Sequence, residues 1–200
     1  MGRHGDSLSP SLRLVPAEAP GSGAVPVAPN GSPARLEATL GDLYEEYAVY
    51  VAAVASRLLG RAGEVDDVVQ DVFAAGVRGL RRRDEPREVR AWLAKVTVRR
   101  CVRQLRFRRI WALVDLASEP SYDRLADPAA GPEEKQLVVE VYRALDRLPA
   151  HERVAWTLRH VEGEALEDIA RLCGCSLATA KRRIATAHEK LRRHLKGRES

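Results

Sequence analysis

Cys173 and Cys175 flank a single glycine, and their type and spacing are the first in this sequence to suggest chemistry. A zinc site wants cysteines separated by two to four residues, with two further thiolate or imidazole ligands. The histidines, His4, His151, His160, His188 and His194, are scattered and complete no such set with the pair. A disulfide between the two would close a very short loop with strained geometry. Two readings stay open: small apolar side chains filling a turn, or a thiol-based metal or redox sensor. No Gly-rich phosphate loop and no catalytic constellation is found, so we expect no enzyme activity, no cofactor and no bound metal.

The residues just after the pair suggest binding. Leu166, Ile169, Ala170 and Cys173 share one face of a helix that stops at Gly174, and Leu177, Ala180, Ile184, Ala187, Leu191 and Leu195 share a narrow face of the next. That is a helix, a short turn containing Gly, and a helix. Ser176 is placed to cap the second helix, its hydroxyl accepting from an otherwise unpaired backbone N–H. At 100° per residue, Thr179, Arg182 and Thr186 lie opposite the apolar stripe, with Lys181 and Arg183 on the flanks. Such an arrangement suits a recognition helix: central side chains read base edges while flanking cations meet phosphates. Arg182 is then a candidate for a bidentate contact to guanine. Helical hairpins of this kind also occur in proteins that never meet DNA.

These residues must be positioned by helices, because no segment alternates at strand period and Ala, Leu, Arg and Glu dominate. The fold class expected is all-α, with two small helical domains. Residues 1–34 are rich in Pro, Gly, Ser and Ala and read as a disordered tail. A first unit spans 35–109. Its first helix carries Leu43, Tyr44, Tyr47, Val51, Val54 and Leu58 on one face, both tyrosines read as core, and ends near Gly60. A second helix carries Val65, Val68, Val69, Val72 and Val77, with acid on its opposite face. A third, about Glu88 to Arg109, places Val89, Trp92, Leu93 and Val96 on one stripe and Val98, Val102 and Leu105 on another. It is therefore either buried on two sides or bent; Trp92 reads as core. Residues 110–132, acidic and broken by prolines, read as a flexible linker. The second unit spans 133–196, with a stripe of Leu137, Val141, Leu145 and Leu148 stopped by Pro149, and 197–200 form a tail. His151 and His160 read as surface residues.

Charge is segregated along these units. Arg78 to Arg109 holds 13 Arg or Lys against three acids, Glu37 to Asp71 eight acids against two arginines, and Ser176 to Arg198 eight Arg or Lys against one acid. Two basic blocks on two units fit a polyanion touched at two places, although charge runs are commonly solvated helix faces. Three cysteines, two of them nearly adjacent, do not make a disulfide framework and suit a reducing cytoplasm. No apolar run of about 18 residues is present, so no membrane insertion is expected, and the start lacks the layout of a secretory signal.

The stretch "LDRLPAHERVAWTLRHVEGEALEDIARLCGCSLATAKRRIATAHEKLRRHL", Leu145 to Leu195, resembles region four of a group-four, extracytoplasmic-function sigma factor of the bacterial sigma-70 family. The matching positions are Leu148 with Pro149, Gly163, Asp168 with Ile169 and Ala170, Leu172 with Gly174 and Ser176, and Thr179 with Ala180, Lys181 and Arg183. Upstream, "LYEEYAVYVAAVASRLLGRAGEVDDVVQDVF", Leu43 to Phe73, resembles the opening of region two, and "EVRAWLAKVTVRRCVRQLRFRR" its Ala-Trp-Leu helix. The resemblance implies recruitment and not catalysis. Asp66, Asp67, Gln70 and Asp71 would dock on core RNA polymerase, at the clamp helices of its largest subunit. Arg99, Arg100, Arg103, Arg106, Arg108 and Arg109 would line the phosphates of the minus-ten element of promoter DNA. Ser176, Thr179, Lys181, Arg182, Arg183 and Thr186 would serve the minus-thirty-five element. An anti-sigma factor is implied as a further partner. The chain departs from the family at Arg99 and Arg103, where Asn and Asp are usual, at Ala165, where Ser or Thr usually caps a helix, and at Ala180, where Val is usual. The rival reading is a helix-turn-helix transcriptional regulator acting without core polymerase, which would footprint free DNA.

Overall fold

The computed structural model describes residues 40–79, 86–111, 122 and 125–196, and among them there are seven helices and no strand. The expected N-terminal tail 1–34, most of the linker and the tail 197–200 lie outside the described residues.

In the first unit, α1 (Leu40–Leu59), α2 (Ala62–Gly79) and α3 (Pro86–Trp111) pack on one another. α1 buries Tyr47, Tyr50, Val51, Val54, Ala55 and Leu58, and α2 buries Val65, Val68, Val69, Val72 and Phe73. The side chain of Val77 lies outside the described residues. Tyr44, read from its spacing as core, stands 48% exposed. Its ring lies 5.0 Å from that of Phe73, tilted by 58°. α1 stops because Gly60 turns the chain at φ +72°, a conformation that costs a side-chain-bearing residue.

The two stripes of α3 have a plain explanation. The helix packs against α1 and α2 and also against α5 and α6. Val89 and Leu93 are buried, and so are Val98, Cys101 and Leu105, while Trp92 packs half-buried against the same core. The polar Thr97, also buried, satisfies itself by donating to the carbonyl of Leu93 at 2.8 Å.

The second unit comprises α4 (Pro132–Asp146), α5 (Ala150–His160), α6 (Leu166–Cys173) and α7 (Leu177–Lys196). Proline in the first turn starts α4, and Glu134 accepts from the Gly131 N–H at 3.3 Å. Pro149 separates α4 from α5, and its carbonyl accepts the first bonds of α5. Leu148 is buried in that corner. His160, read as a surface residue, is half-buried, its ring stacked 4.7 Å from Trp156 and 5.7 Å from His188. His151 is half-buried as well. Both histidines project from α5, which packs against α7.

The units are not beads on a string. Val154, Ala155 and Leu158 of α5 and Ile169, Ala170 and Leu172 of α6 belong to one continuous core with α1, α2 and α3. A smaller core joins α4, Trp156 of α5, and Ala187 and Leu191 of α7. Into it drop Tyr122, Leu125 and Ala126, all buried, from the far end of the segment read as linker. These anchors come singly and have no helical period, so periodicity does not register them.

Candidate nucleic-acid interface

The turn between α6 and α7 is built by Gly174 and Ser176. Gly174 ends α6 in the left-handed region at φ +60°, and the Cys175 N–H donates back to the Ala170 carbonyl at 2.9 Å. Ser176 Oγ then accepts the Thr179 N–H at 3.2 Å and lies 2.9 Å from the Thr179 hydroxyl. It is the N-cap that its type and position suggested. Ala165, at the start of α6, makes no side-chain cap bond. Cys173 and Cys175 lie half-buried against the main core. Burial pushes the Cys173 thiol up to about 11, with Cys175 beside it adding to the shift. Among the described residues no three His, Cys, Asp or Glu side chains are grouped as metal ligands.

On α7, Ala180, Ala187 and Leu191 are buried, with Ile184 and Leu195 partly so. Leu177, counted with that stripe from its spacing, is exposed in the first turn, ahead of where α7 meets the core. The solvent side presents Ala178, Lys181, Arg182 and Ala185, while Thr179, Arg183 and Thr186 are half-buried on its edges. Lys181 and Arg182 are thus the exposed polar side chains of the candidate recognition face. A buried Nη1 of Arg183 finds no hydrogen-bond partner in the protein. Nearby, burial and then the charges of Arg183 and Arg106 hold the His151 imidazole below its ordinary pKa. α3 and α7 both pack against α5 and α6.

On α3, Arg99, Arg103, Arg106 and Arg109 are exposed and Arg100 is half-buried. Arg100 and Arg103 both reach Asp71 of α2, at 3.0 and 2.6 Å. Arg108 points elsewhere. It donates from Nε to Glu64 at 2.9 Å, from Nη1 to Asp146 at 3.0 Å and from Nη2 to the Leu59 carbonyl at 3.0 Å. Sequence spacing had grouped it with its five neighbours, and charge type alone does not tell an inward arginine from an outward one. Phe107 and Ile110, which spacing passed over, stand exposed on the same face as Arg99, Arg103 and Arg106. An aromatic interleaved in an arginine run was the available signal. On α2, Asp66, Asp67 and Gln70 are exposed and Asp71, tied to the two arginines, is half-buried.

Comparison with known proteins fits this geometry. The family described as Sigma-70 region 2 matches residues 43–110, and Sigma-70, region 4 matches residues 139–191. The ECF RNA polymerase sigma factor SigM of Mycobacterium tuberculosis is 31% identical over 142 residues, covering 70% of this chain and 69% of that one. The chain belongs to the extracytoplasmic-function sigma factors. The ECF RNA polymerase sigma-E factor of Escherichia coli is 30% identical over 156 residues, covering 74% of this chain and 81% of that one. A solved structure of the sigma factor RpoE from Bartonella quintana, in complex with the anti-sigma factor NepR, shares the fold with a TM-score of 0.58. It covers 78% of this chain and 97% of that one at 24% identity. As a sigma factor the chain serves transcription initiation by RNA polymerase, with region 2 formed by α1 to α3 and the DNA-binding region 4 by α4 to α7. No helix among the described residues is long and apolar enough to cross a membrane.

Proposed function

We propose that this sigma factor docks on the clamp helices of the polymerase largest subunit through Asp66, Asp67, Gln70 and Asp71, and reads a promoter with two separate basic surfaces. The observation that carries the reading is the α7 face. Behind a glycine turn and a serine cap, Lys181 and Arg182 stand exposed on the side of α7 away from its buried stripe. Arg182 reaches a base edge of the minus-thirty-five element, Lys181 and Arg183 grip phosphates, and Ser176, Thr179 and Thr186 fix the helix against the groove wall. On α3, Arg99, Arg100, Arg103, Arg106 and Arg109 hold the minus-ten phosphates, and exposed Phe107 offers a face on which an unpaired base stacks. Asp71 then has two roles, because the carboxylate offered to the polymerase also orients Arg100 and Arg103. Arg108 joins the phosphate set only if it leaves Glu64 and Asp146.

The action is recruitment rather than catalysis, it takes place in the cytoplasm with the polymerase and the chromosome, and an anti-sigma factor keeps the chain in check. The bound state of the Bartonella quintana sigma factor supports that last partner. The reading is tested by in vitro transcription with core polymerase on a genomic library. Transcripts that arise only when this chain is added are expected, and their start sites give the promoter sequence. Protection of specific sites on free DNA, with no polymerase-dependent transcript, would favour a regulator acting alone.

A further inference from the structure

Two thiols bracket the turn that aims α7, and the proposed promoter contacts make no use of them. Cys173 ends α6, and Cys175 is the last residue before the Ser176 cap. Gly174 stands between them at φ +60° and ψ +44°, and the Cys175 N–H is tied back to the Ala170 carbonyl at 2.9 Å. Two Cα steps of about 3.8 Å folded by such a turn leave the cysteine Cα atoms about 5.5 Å apart. Both side chains are half-buried and pack against the same core. The turn is also approachable: a Cβ built at Gly174 would meet nothing beyond its chain neighbours within 4 Å.

The commoner uses of a cysteine pair fit this turn badly. A disulfide needs its sulfurs about 2.0 Å apart, and across a single residue that closes a strained ring. A thiol attacks a peroxide or a disulfide as thiolate, and burial pushes Cys173 up to about 11. Zinc in a closed site takes four ligands, and among the described residues no third His, Cys, Asp or Glu groups with these two. A soft monovalent ion held in line between two thiolates asks for less. Metal–sulfur bonds of about 2.3 Å put its sulfurs about 4.5 Å apart, a span within reach of side chains on Cα atoms about 5.5 Å apart. Among the ions that soft thiolates select, copper(I) is the one content with two. Binding replaces two S–H bonds by two Cu–S bonds: copper(I) and two thiols give a singly negative bis-thiolate and two protons released to solvent, with no electron transferred.

That negative charge has a counter-ion in place. Arg183 directly precedes Ile184 on α7, and Ile184 packs against the same core as the two cysteines. The Arg183 Nη1 is buried with no hydrogen-bond partner in the protein, and its charge opposes the rise of the Cys173 thiol. We propose that Cys173 and Cys175 form a two-coordinate copper(I) site in the turn of the helix-turn-helix, with Arg183 beside it as the counter-charge of the bis-thiolate.

The full chain, reduced and free of oxygen, is titrated with copper(I) against bathocuproine disulfonate, whose colour reports the copper it retains. One equivalent should be withheld per wild-type chain. Cys173→Ser and Cys175→Ser should each lower the affinity at least a hundredfold, because one thiolate does not complete the site. Cys101→Ala, at a thiol fully buried in α3, should leave it unchanged. Arg183→Ala should keep the one-to-one stoichiometry and weaken binding about tenfold, with Arg183→Lys recovering part of the loss. No copper withheld by the wild type, copper withheld equally by the double serine variant, or zinc(II) held as tightly overturns the site. Unchanged affinity in Arg183→Ala overturns the counter-charge. The consequence for DNA rests on the promoter reading above: an Arg183 drawn to the complex is withdrawn from a phosphate. One equivalent of copper(I) should therefore weaken promoter binding by the chain with core polymerase severalfold, and leave the double serine variant unaffected. Copper bound with promoter affinity unchanged overturns that coupling. A chain that binds no promoter with or without copper instead refutes the promoter reading and leaves the titration standing.

Discussion

α3 and α7 are both long and rich in arginine, yet they use that charge differently. α7 buries one stripe of small and apolar residues and leaves Lys181, Arg182, Arg192 and Arg193 on its outer side. α3 is packed on two sides and must place its cations in the narrow space that remains. Arg100 and Arg103 lean on Asp71, and Arg108 turns inward to Glu64 and Asp146. A cation on a one-sided helix is available to a partner; one on a two-sided helix is first a part of the architecture. The same residue type therefore carries different expectations on the two helices.

The largest expected effect comes from removing the acid on which the inward arginines depend. Asp146→Ala strips Arg153 and Arg108 of a shared carboxylate and Tyr122 of its acceptor. Leaving a buried guanidinium uncompensated costs about 3 to 5 kcal/mol, to be read as a lower midpoint in urea unfolding. Glu189, which pairs with Arg192 and Arg193 on the outside of α7, is the matched control. Glu189→Ala should leave the midpoint where it was, since exposed pairs contribute little. Equal losses in the two variants would erase the distinction between the helices.

Next in size are the effects on DNA. Arg182→Ala should leave stability within about 0.5 kcal/mol, as for most surface changes. On a promoter fragment found by the transcription assay it should cost about 1 to 3 kcal/mol in binding and relax preference at one base position. A uniform loss on every sequence would reassign Arg182 to phosphate. Lys181→Ala should weaken all sequences alike and lower the slope of log affinity against log salt by about 1. Arg108→Ala should do the reverse of Arg182→Ala, lowering the unfolding midpoint with little change in base preference.

Much of this was legible in the sequence where local chemistry decides the structure. Gly60, Pro149 and Gly174 mark helix ends, Ser176 is a cap, and the Leu166 to Leu195 pattern is a helix-turn-helix whichever way its function is read. Illegible was anything set by partners far along the chain. Arg57 and Glu162, or Arg153 and the Leu59 carbonyl, lie some hundred residues apart and belong to no period. Tyr122 and Leu125 anchor the linker end one at a time. Likewise the exposure of Tyr44 and the inward turn of Arg108 depend on which neighbours arrive, and spacing along one helix does not contain that information.

The smallest effects lie at the two ends of the turn that aims α7. Ser176→Ala removes the acceptor of the Thr179 N–H and should cost about 1 kcal/mol. Ala165 leaves the first turn of α6 without a side-chain cap, so Ala165→Ser should contribute about 1 kcal/mol in the opposite sense. Thermal unfolding of both variants measures the pair. Their consequences for DNA should differ even where the stability changes are equal in size. Ser176 sits against the recognition helix and its loss loosens the first turn of α7, so promoter affinity should fall with it. Ala165 lies at the far end of α6, and α6 is already held by Ile169, Ala170 and Leu172 in the shared core. Stabilising that end should leave affinity unchanged, unless the mobility of α6 itself is what limits how α7 enters the groove.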